Sequence, residues 1–409
     1  MNKTALSFLI VIVLAISPLF AHANLISYKL IKTFSIKEMQ DFWDKNNVPK
    51  MILRAKDSVD VYELIYQSQF LDGKPAITSG LYFLPKNRLE PLPMLLYTHG
   101  TELWQDRKVN LKGEKSLCFG FATDGYAVAY PDYFGLGVSS KDQVYLNAEL
   151  EAQSSVDLLI AIEQVNQTLQ IALSDQLFVT GYSQGGHAAM ATHKMIESKY
   201  SHLFKVTASS PMSGPYDVFF TVNDGKFREY NYPAFLLMLV KSFYDTKRPD
   251  RNMAEVLKAP YDSLIPPMLN GCHTMDDVNN LLPRIPYACL TDEFVTDYMN
   301  NPNAEFKQYL HENSVYNWKP EAPMQLCYCN GDEEVNFKNA ITAYETMKAN
   351  GSESVKLKRA GKKFKHVNCA LFASVYTKMF FDTYVKGGNK KGPAFKRLLL
   401  NIGKMAVKP

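Results

Sequence analysis

The stretch that most restricts how this chain can fold is Thr180-Gly181-Tyr182-Ser183-Gln184-Gly185-Gly186-His187. The apolar run Leu177-Phe178-Val179 before it has the length and composition of a short buried strand. Residues 185–198 after it are good helix formers without a proline, so a helix follows. A G-x-S-x-G pattern between a strand and a helix is a nucleophile elbow. Ser183 must take a strained backbone conformation that lifts its hydroxyl out of a sharp turn. The chain then passes itself so closely on both sides that Gly181 and Gly185 have no room for side chains. Taken without its setting, the motif is only a glycine-rich turn with a bystander serine.

Residues 1–23 read as a secretory signal peptide. Met1-Asn2-Lys3 is positive, 5–20 is an apolar run, and Ala21-His22-Ala23 is an A-x-A cleavage site. Pro18 and the shortness of the run separate it from a membrane span, which needs about 20 apolar residues. No cysteine follows the site to carry a lipid, and no other stretch is long enough to cross a bilayer. The protein is therefore expected to be exported, periplasmic or secreted, without a stable membrane anchor. The basic end, amphipathic over 395–407, reads as a packed terminal helix. Lys plus Arg total 45 against 41 Asp plus Glu, a near-balanced surface that gives no basis for a nucleic-acid partner.

Along the mature chain, Ser35 and Glu38 have capping-box spacing, so a short helix is predicted first. Residues 61–68 and 76–84 form a hairpin about Asp72-Gly73. Strands are predicted at 93–98, 126–130 and 177–179, separated by helices at 114–123 and 148–165. Another strand covers 205–208 and is broken at Ser210-Pro211. Alternating strands and helices imply an α/β fold: a mostly parallel central sheet with helices on both faces. The rhythm stops over 214–317, which carries helical stretches, aromatics and prolines. It resumes with a strand at 323–329, a helix at 337–349, a strand at 355–357 and a helix from His366. The predicted organisation is a core in two parts, 24–213 and 318–409, with a mainly helical cap, 214–317, inserted between them.

A serine needs a general base, and the base an orienting acid. In a strand-elbow-helix setting the chain order is serine, acid, histidine. His366 is the only histidine after the late strand, so it is the candidate base. The candidate acid is Asp332 in Asn330-Gly331-Asp332-Glu333-Glu334-Val335, with Glu333 as the alternative. Oxyanion donors are predicted at the backbone N–H of Gln184 and, in His99-Gly100-Thr101, at Thr101. His99 and His187 read as structural, and Asp132 as a bond to its own loop. Cys327 and Cys329 lack C-x-x-C spacing, and neither a metal nor a cofactor is expected.

Tyr97-Thr98-His99-Gly100-Thr101, Tyr130-Pro131-Asp132-Tyr133-Phe134-Gly135-Leu136-Gly137, Gly181-Tyr182-Ser183-Gln184-Gly185-Gly186 and Gly331-Asp332-Glu333-Glu334-Val335 occur in this order. The chain resembles the α/β-hydrolase superfamily and, more narrowly, exported esterases related to the secretory lipases of the fungal lipase A type. The likeness runs from about Val61 to Val385, strong in the core and weak in the cap. It implies hydrolysis of carboxylic esters, small-molecule or lipid, with Ser183, Asp332 and His366 as nucleophile, acid and base. Relatives often have proline after Val335, where this chain has Asn336. A peptidase or acyl transferase on the same fold, or a binding protein on a hydrolase scaffold, are the competing readings.

In the cap, Tyr232-Pro233 opens an apolar segment in which Phe235, Leu236 and Val240 are candidate substrate contacts. Leu236 and Val240 are four apart and share a helix face. The six cysteines of an exported chain make disulfides available. Cys329 lies three residues before Asp332 and Cys369 three after His366. An acid–base hydrogen bond would therefore bring these two within bridging distance, with Cys327 competing for Cys369. Cys272 with Cys289 is the second predicted pair.

Overall fold

The computed structural model describes residues 24–50, 53–87, 90–104, 109–225 and 228–386. The predicted signal peptide and the terminal helix at 395–407 lie outside the described residues. The strands are β1 (Asn24–Phe34), β2 (Val59–Gln69), β3 (Pro75–Pro85), β4 (Leu92–Thr98), β5 (Ala127–Pro131), β6 (Leu173–Tyr182), β7 (Val206–Met212), β8 (Met324–Cys329) and β9 (Val355–Gly361). They form one sheet in the order β1-β2-β3-β5-β4-β6-β7-β8-β9. Pairing is antiparallel from β1 to β5 across the hairpin, and parallel from there to β9.

The helices of the first part are α1 (Ile36–Lys45), α2 (Lys115–Ala122), α3 (Ala148–Leu169) and α4 (Gln184–Lys199). Between β7 and β8 come α5 (Val218–Gly225), α6 (Ala234–Lys247), α7 (Tyr261–Leu264), α8 (Met275–Asn279), α9 (Asp292–Asn300) and α10 (Glu305–Glu312). The last two are α11 (Lys338–Ala349) and α12 (His366–Phe381).

Side-chain alternation along the central strands explains the layering. Met94, Leu96, Leu177 and Val179 pack on one face with Val156, Leu159, Met190 and Ile196 of α3 and α4. Leu95, Tyr97 and Phe178 pack on the other with Phe119 of α2 and with Phe372 and Phe381 of α12. Strands covered on both faces read as continuous apolar runs, which is why they were visible in the sequence. Each large side chain buried in these layers contributes about 1.5–3 kcal/mol.

Two expectations are corrected. Helix α1 is present, with Ser35 Oγ accepting the Glu38 N–H at 3.1 Å, but strand β1 precedes it. It lies at the edge of the sheet with mostly exposed side chains, so no buried alternation marks it. Strand β7 is not broken at Ser210-Pro211 but runs to Met212, with Pro211 opposite Gly181. The missing proline N–H is tolerated because pairing with β8 is sparse there, at Ser209 with Met324 and Met212 with Cys327.

The sheet changes direction of growth at β4, which lies between β5 and β6. Loops leaving the carboxyl ends of β4 and β6 therefore meet at a topological switch point, where open α/β sheets bind ligands. The inserted helices build their own apolar cluster, including Leu237, Val240, Phe243, Tyr309 and Leu310.

Candidate active site

Ser183 occupies the turn between β6 and α4 with φ 60° and ψ −124°. A left-handed conformation at a non-glycine residue costs on the order of 1–3 kcal/mol and persists only where the surroundings dictate it. Here the Ser183 N–H donates to Met212 O at 3.0 Å, while its carbonyl accepts the N–H groups of Gly186 at 2.8 Å and His187 at 3.2 Å. A Cβ at Gly181 or Gly185 would run into the Thr98 carbonyl, so both positions require glycine.

Thr98 pairs with Gly181, which delivers the next residues of the β4 loop to the elbow. Glu114 holds that loop. One carboxylate oxygen accepts the Gly100 N–H at 2.8 Å, and the other accepts the Tyr97 hydroxyl at 2.8 Å. Burial pushes the Glu114 carboxyl above the usual glutamate range, against the opposing effect of the Tyr97 bond. His99 stacks on Tyr130 and Tyr133, with Nδ1 2.7 Å from Gly100 O, so its place is structural. Because the Gly100 N–H is committed to Glu114, Thr101 is the next donor along the loop. Its hydroxyl donates to Tyr145 Oη at 3.3 Å. Asp132 accepts from Ser79 Oγ at 2.5 Å and so braces the neighbouring strand.

On the far side of β7, Asp332 follows β8 and His366 opens α12. Both Asp332 carboxylate oxygens lie 2.8 Å from His366 Nδ1. Asp332 Oδ1 also accepts the N–H groups of Glu334 at 3.1 Å and Val335 at 2.9 Å. Glu333 takes a different bond, accepting the backbone N–H of His366 at 3.0 Å. An acid at a helix start complements the dipole of α12, leaving Asp332 as the partner of the ring. His366 reaches the elbow through Tyr182, whose hydroxyl donates to the His366 carbonyl at 2.7 Å and whose ring lies 4.9 Å from the imidazole. His366 Nε2 lies 3.8 Å from Glu334 Oε2. Burial alone would push the imidazolium of His366 down. The Asp332 bond and charge, with Glu334 and Glu333 behind them, outweigh it and hold His366 above its ordinary value. Glu334 itself is pushed up by burial, partly offset by His366.

Cys329 and Cys369 form a disulfide with a Cα separation of 6.1 Å, tying the strand before Asp332 to the helix after His366. The predicted Cys272–Cys289 pair does not form. Cys289 turns inward at the end of a 3-10 turn, where its thiol donates to Pro286 O at 2.9 Å, while Cys272 is exposed. Cys327, the competing partner, is a buried free thiol. Asn336, in place of proline, donates to both carboxylate oxygens of Asp224 at 3.2 Å and so binds the acid loop to α5.

A cleft of about 810 Å³, open to solvent at its mouth, runs from Ser183 and Gln184 into the inserted segment. Leu236, Leu239 and Phe235 of α6 give it an apolar wall, and Glu334, Asp224 and Arg228 a polar one. Val240 is not part of the lining. It is fully buried in the apolar cluster of the insertion, and Leu239 takes its place. At 3.6 residues per turn, steps of three and four diverge to opposite sides of Leu236. Tyr145, Glu114 and Glu334 are the site residues sequence reasoning missed. Only Glu334 carried a signal, its place two residues after the candidate acid. Among the described residues no cluster of three or more His, Cys, Asp or Glu side chains could hold a metal ion.

A strained serine elbow at the tip of a central strand, on a mostly parallel sheet with helices on both faces, is the α/β-hydrolase fold. No protein-family model and no curated protein matches the chain. Solved structures do. A Legionella pneumophila protein provisionally classed as a hydrolase is 25% identical with a TM-score of 0.80, over 90% of this chain and 99% of that one. A ligand-bound form of the rice cell wall degrading esterase LipA from Xanthomonas oryzae is 27% identical with a TM-score of 0.78, over 90% and 99%. Candida antarctica lipase A in its closed state shares the fold at 15% identity and a TM-score of 0.63, over 89% and 83%. The chain thus has an α/β-hydrolase fold resembling esterases of the lipase A type.

Proposed function

We propose that the protein is an exported serine hydrolase that cleaves carboxylic esters through an acyl-enzyme. Esterase, lipase and hydrolase structures among its neighbours support ester hydrolysis in general. The observation that carries the finer reading is the Asp332–His366 pair packed against Tyr182, one residue from the strained Ser183. In this reading His366 takes the Ser183 proton through Nε2 as Oγ adds to the ester carbonyl. Asp332 keeps the ring in the tautomer that frees Nε2, and the N–H groups of Gln184 and Thr101 receive the oxyanion. His366 then gives the proton to the leaving alcohol, and water releases the acid by the reverse sequence.

Residues 24–213 and 318–409 serve as the catalytic core and 214–317 as a cap whose α6 wall takes the acyl chain. Export is supported by the Cys329–Cys369 bridge, since disulfides persist in oxidising compartments. Among the described residues no helix is long and apolar enough to cross a membrane. The test is a fluorophosphonate probe with an ester series from acetate to palmitate. The wild type should be labelled and should hydrolyse part of the series, and Ser183→Ala should do neither. A wild type that binds esters without labelling or turnover would be a binding protein instead.

A further inference from the structure

Three buried polar side chains meet under the first turn of α4. Gln184 and His187 come from α4 itself and Glu151 from the first turn of α3; they are 2%, 0% and 1% exposed. The Glu151 carboxylate takes both neighbours. Gln184 Nε2 donates to Oε1 at 2.7 Å, and His187 Nδ1 lies 2.7 Å from Oε2. On the other side of the ring, His187 Nε2 lies 2.7 Å from the carbonyl oxygen of Asn313, at the end of α10. A carbonyl only accepts, so Nε2 carries a hydrogen, and the Nδ1–Oε2 contact requires a second one. Asn313 is fixed in turn, its Oδ1 accepting the Ala148 N–H at 2.9 Å at the start of α3.

The acyl-transfer steps assign no role to Glu151 or His187. A buried pair of this kind contributes little net stability, because desolvation offsets the attraction. Its structural effect is on Gln184. The amide oxygen of Gln184 is buried with no hydrogen-bond partner among the described residues, so the bond from Nε2 to Glu151 is what fixes that side chain. Gln184 is also the residue whose backbone N–H stands first at the positive end of α4. We infer that Glu151 is a positioning residue for the oxyanion site: it anchors the Gln184 side chain so that the Gln184 N–H faces the developing oxyanion, and His187 braces Glu151 against the cap through Asn313. The inference rests on Ser183 being the nucleophile.

Gln184→Ala keeps the backbone N–H and removes only the tether, while Glu151→Gln keeps the volume and removes the charge. Each should lower kcat for an ester of the wild type's preferred chain length about 10- to 100-fold, with KM within about threefold, as for a donor displaced rather than deleted. Affinity for an alkyl boronic acid, whose boron takes up Ser183 Oγ while the proton passes to His366, should fall by a similar factor. The double variant should be no worse than the weaker single, because both changes break one contact. Rates are normalised to the fraction of enzyme a fluorophosphonate titrates, which removes losses from misfolding. Should Glu151→Gln not fold, Gln184→Ala carries the test alone. If kcat and boronate affinity stay within twofold while only the melting temperature falls, the cluster is packing and the inference is wrong. Losses that multiply in the double variant also overturn it. A wild type that is neither labelled nor active instead removes the reading of Ser183 on which it rests.

Discussion

The two sides of the cleft are held by different means. On the serine side the geometry is local and steric. Ser183 is held by backbone bonds to Gly186 and His187 in its own turn and to Met212 on β7, while Thr98 on β4 crowds the two flanking glycines. On the acid–base side, Asp332 and His366 lie 34 residues apart, one in the loop after β8 and the other at the start of α12. They are joined by carboxylate bonds and by the Cys329–Cys369 bridge, and the hydroxyl of Tyr182 ties His366 to the elbow. The conformation of Ser183 follows from the backbone around it, with Glu114 and Glu151 holding the neighbouring groups, whereas the acid–base side is assembled mainly by side chains that the fold brings together. Loss of the Ser183 hydroxyl or of the His366 ring should abolish chemistry outright, and loss of the side chains that hold either in place should be graded.

The largest effect expected is from Ser183→Ala or His366→Ala, each lowering kcat by about 10⁴- to 10⁶-fold, since the members of such a unit fail together. Stopped assays on titrated enzyme check it. On the acid–base side, Asp332→Ala should cost about 10⁴-fold, and Glu333→Gln less than about tenfold, because Glu333 bonds the backbone of His366 and not its ring. Equal losses at the two acids would blur the division of labour between them.

How much of this could be read beforehand follows the same line. Gly181, Ser183 and Gly185 stood out because their constraint is written in five consecutive residues. The pairing of Asp332 with His366 is legible from chain order, and the bridge beside them from spacing to that pair. Glu114, Glu151 and Tyr145 left no signal, since each meets the site from a distant position and looks in sequence like an ordinary helix or loop residue. The inserted segment was harder still. Its cluster draws on short helices and 3-10 turns without a sustained period, so nothing in the sequence marks Val240 as buried away from the cleft or sets Cys272 apart from Cys289.

Opening the bridge should affect the acid–base side through stability more than through chemistry. Its cysteines are 40 residues apart, so Cys329→Ser should cost about 4 kcal/mol in chain entropy alone. Urea unfolding of the variant against the wild type reads this, with kcat per titrated site changing far less than for Asp332→Ala. A kcat collapse with unchanged stability would mean the bridge shapes the site directly.

The smallest effect concerns pH. In the proposed mechanism His366 serves as a base only when neutral, and it is held above its ordinary value of ~6.5. The rate constant kcat/KM should therefore fall as pH drops through a value above that of a free imidazole. Glu334, 3.8 Å from Nε2, is one of the charges that raises it. Glu334→Gln removes that support for the imidazolium, so the acid limb should move to lower pH. An unmoved limb would show that the charge of Glu334 does not support the imidazolium.

An acyl-enzyme on Ser183 can be trapped by quenching the wild type with acid milliseconds after mixing with a p-nitrophenyl ester and mapping the adduct by peptide mass spectrometry. One acyl group per titrated site is expected, on the peptide containing Ser183, together with a burst of p-nitrophenol. Steady hydrolysis with no adduct, or an adduct on another residue that persists in Ser183→Ala, would contradict it.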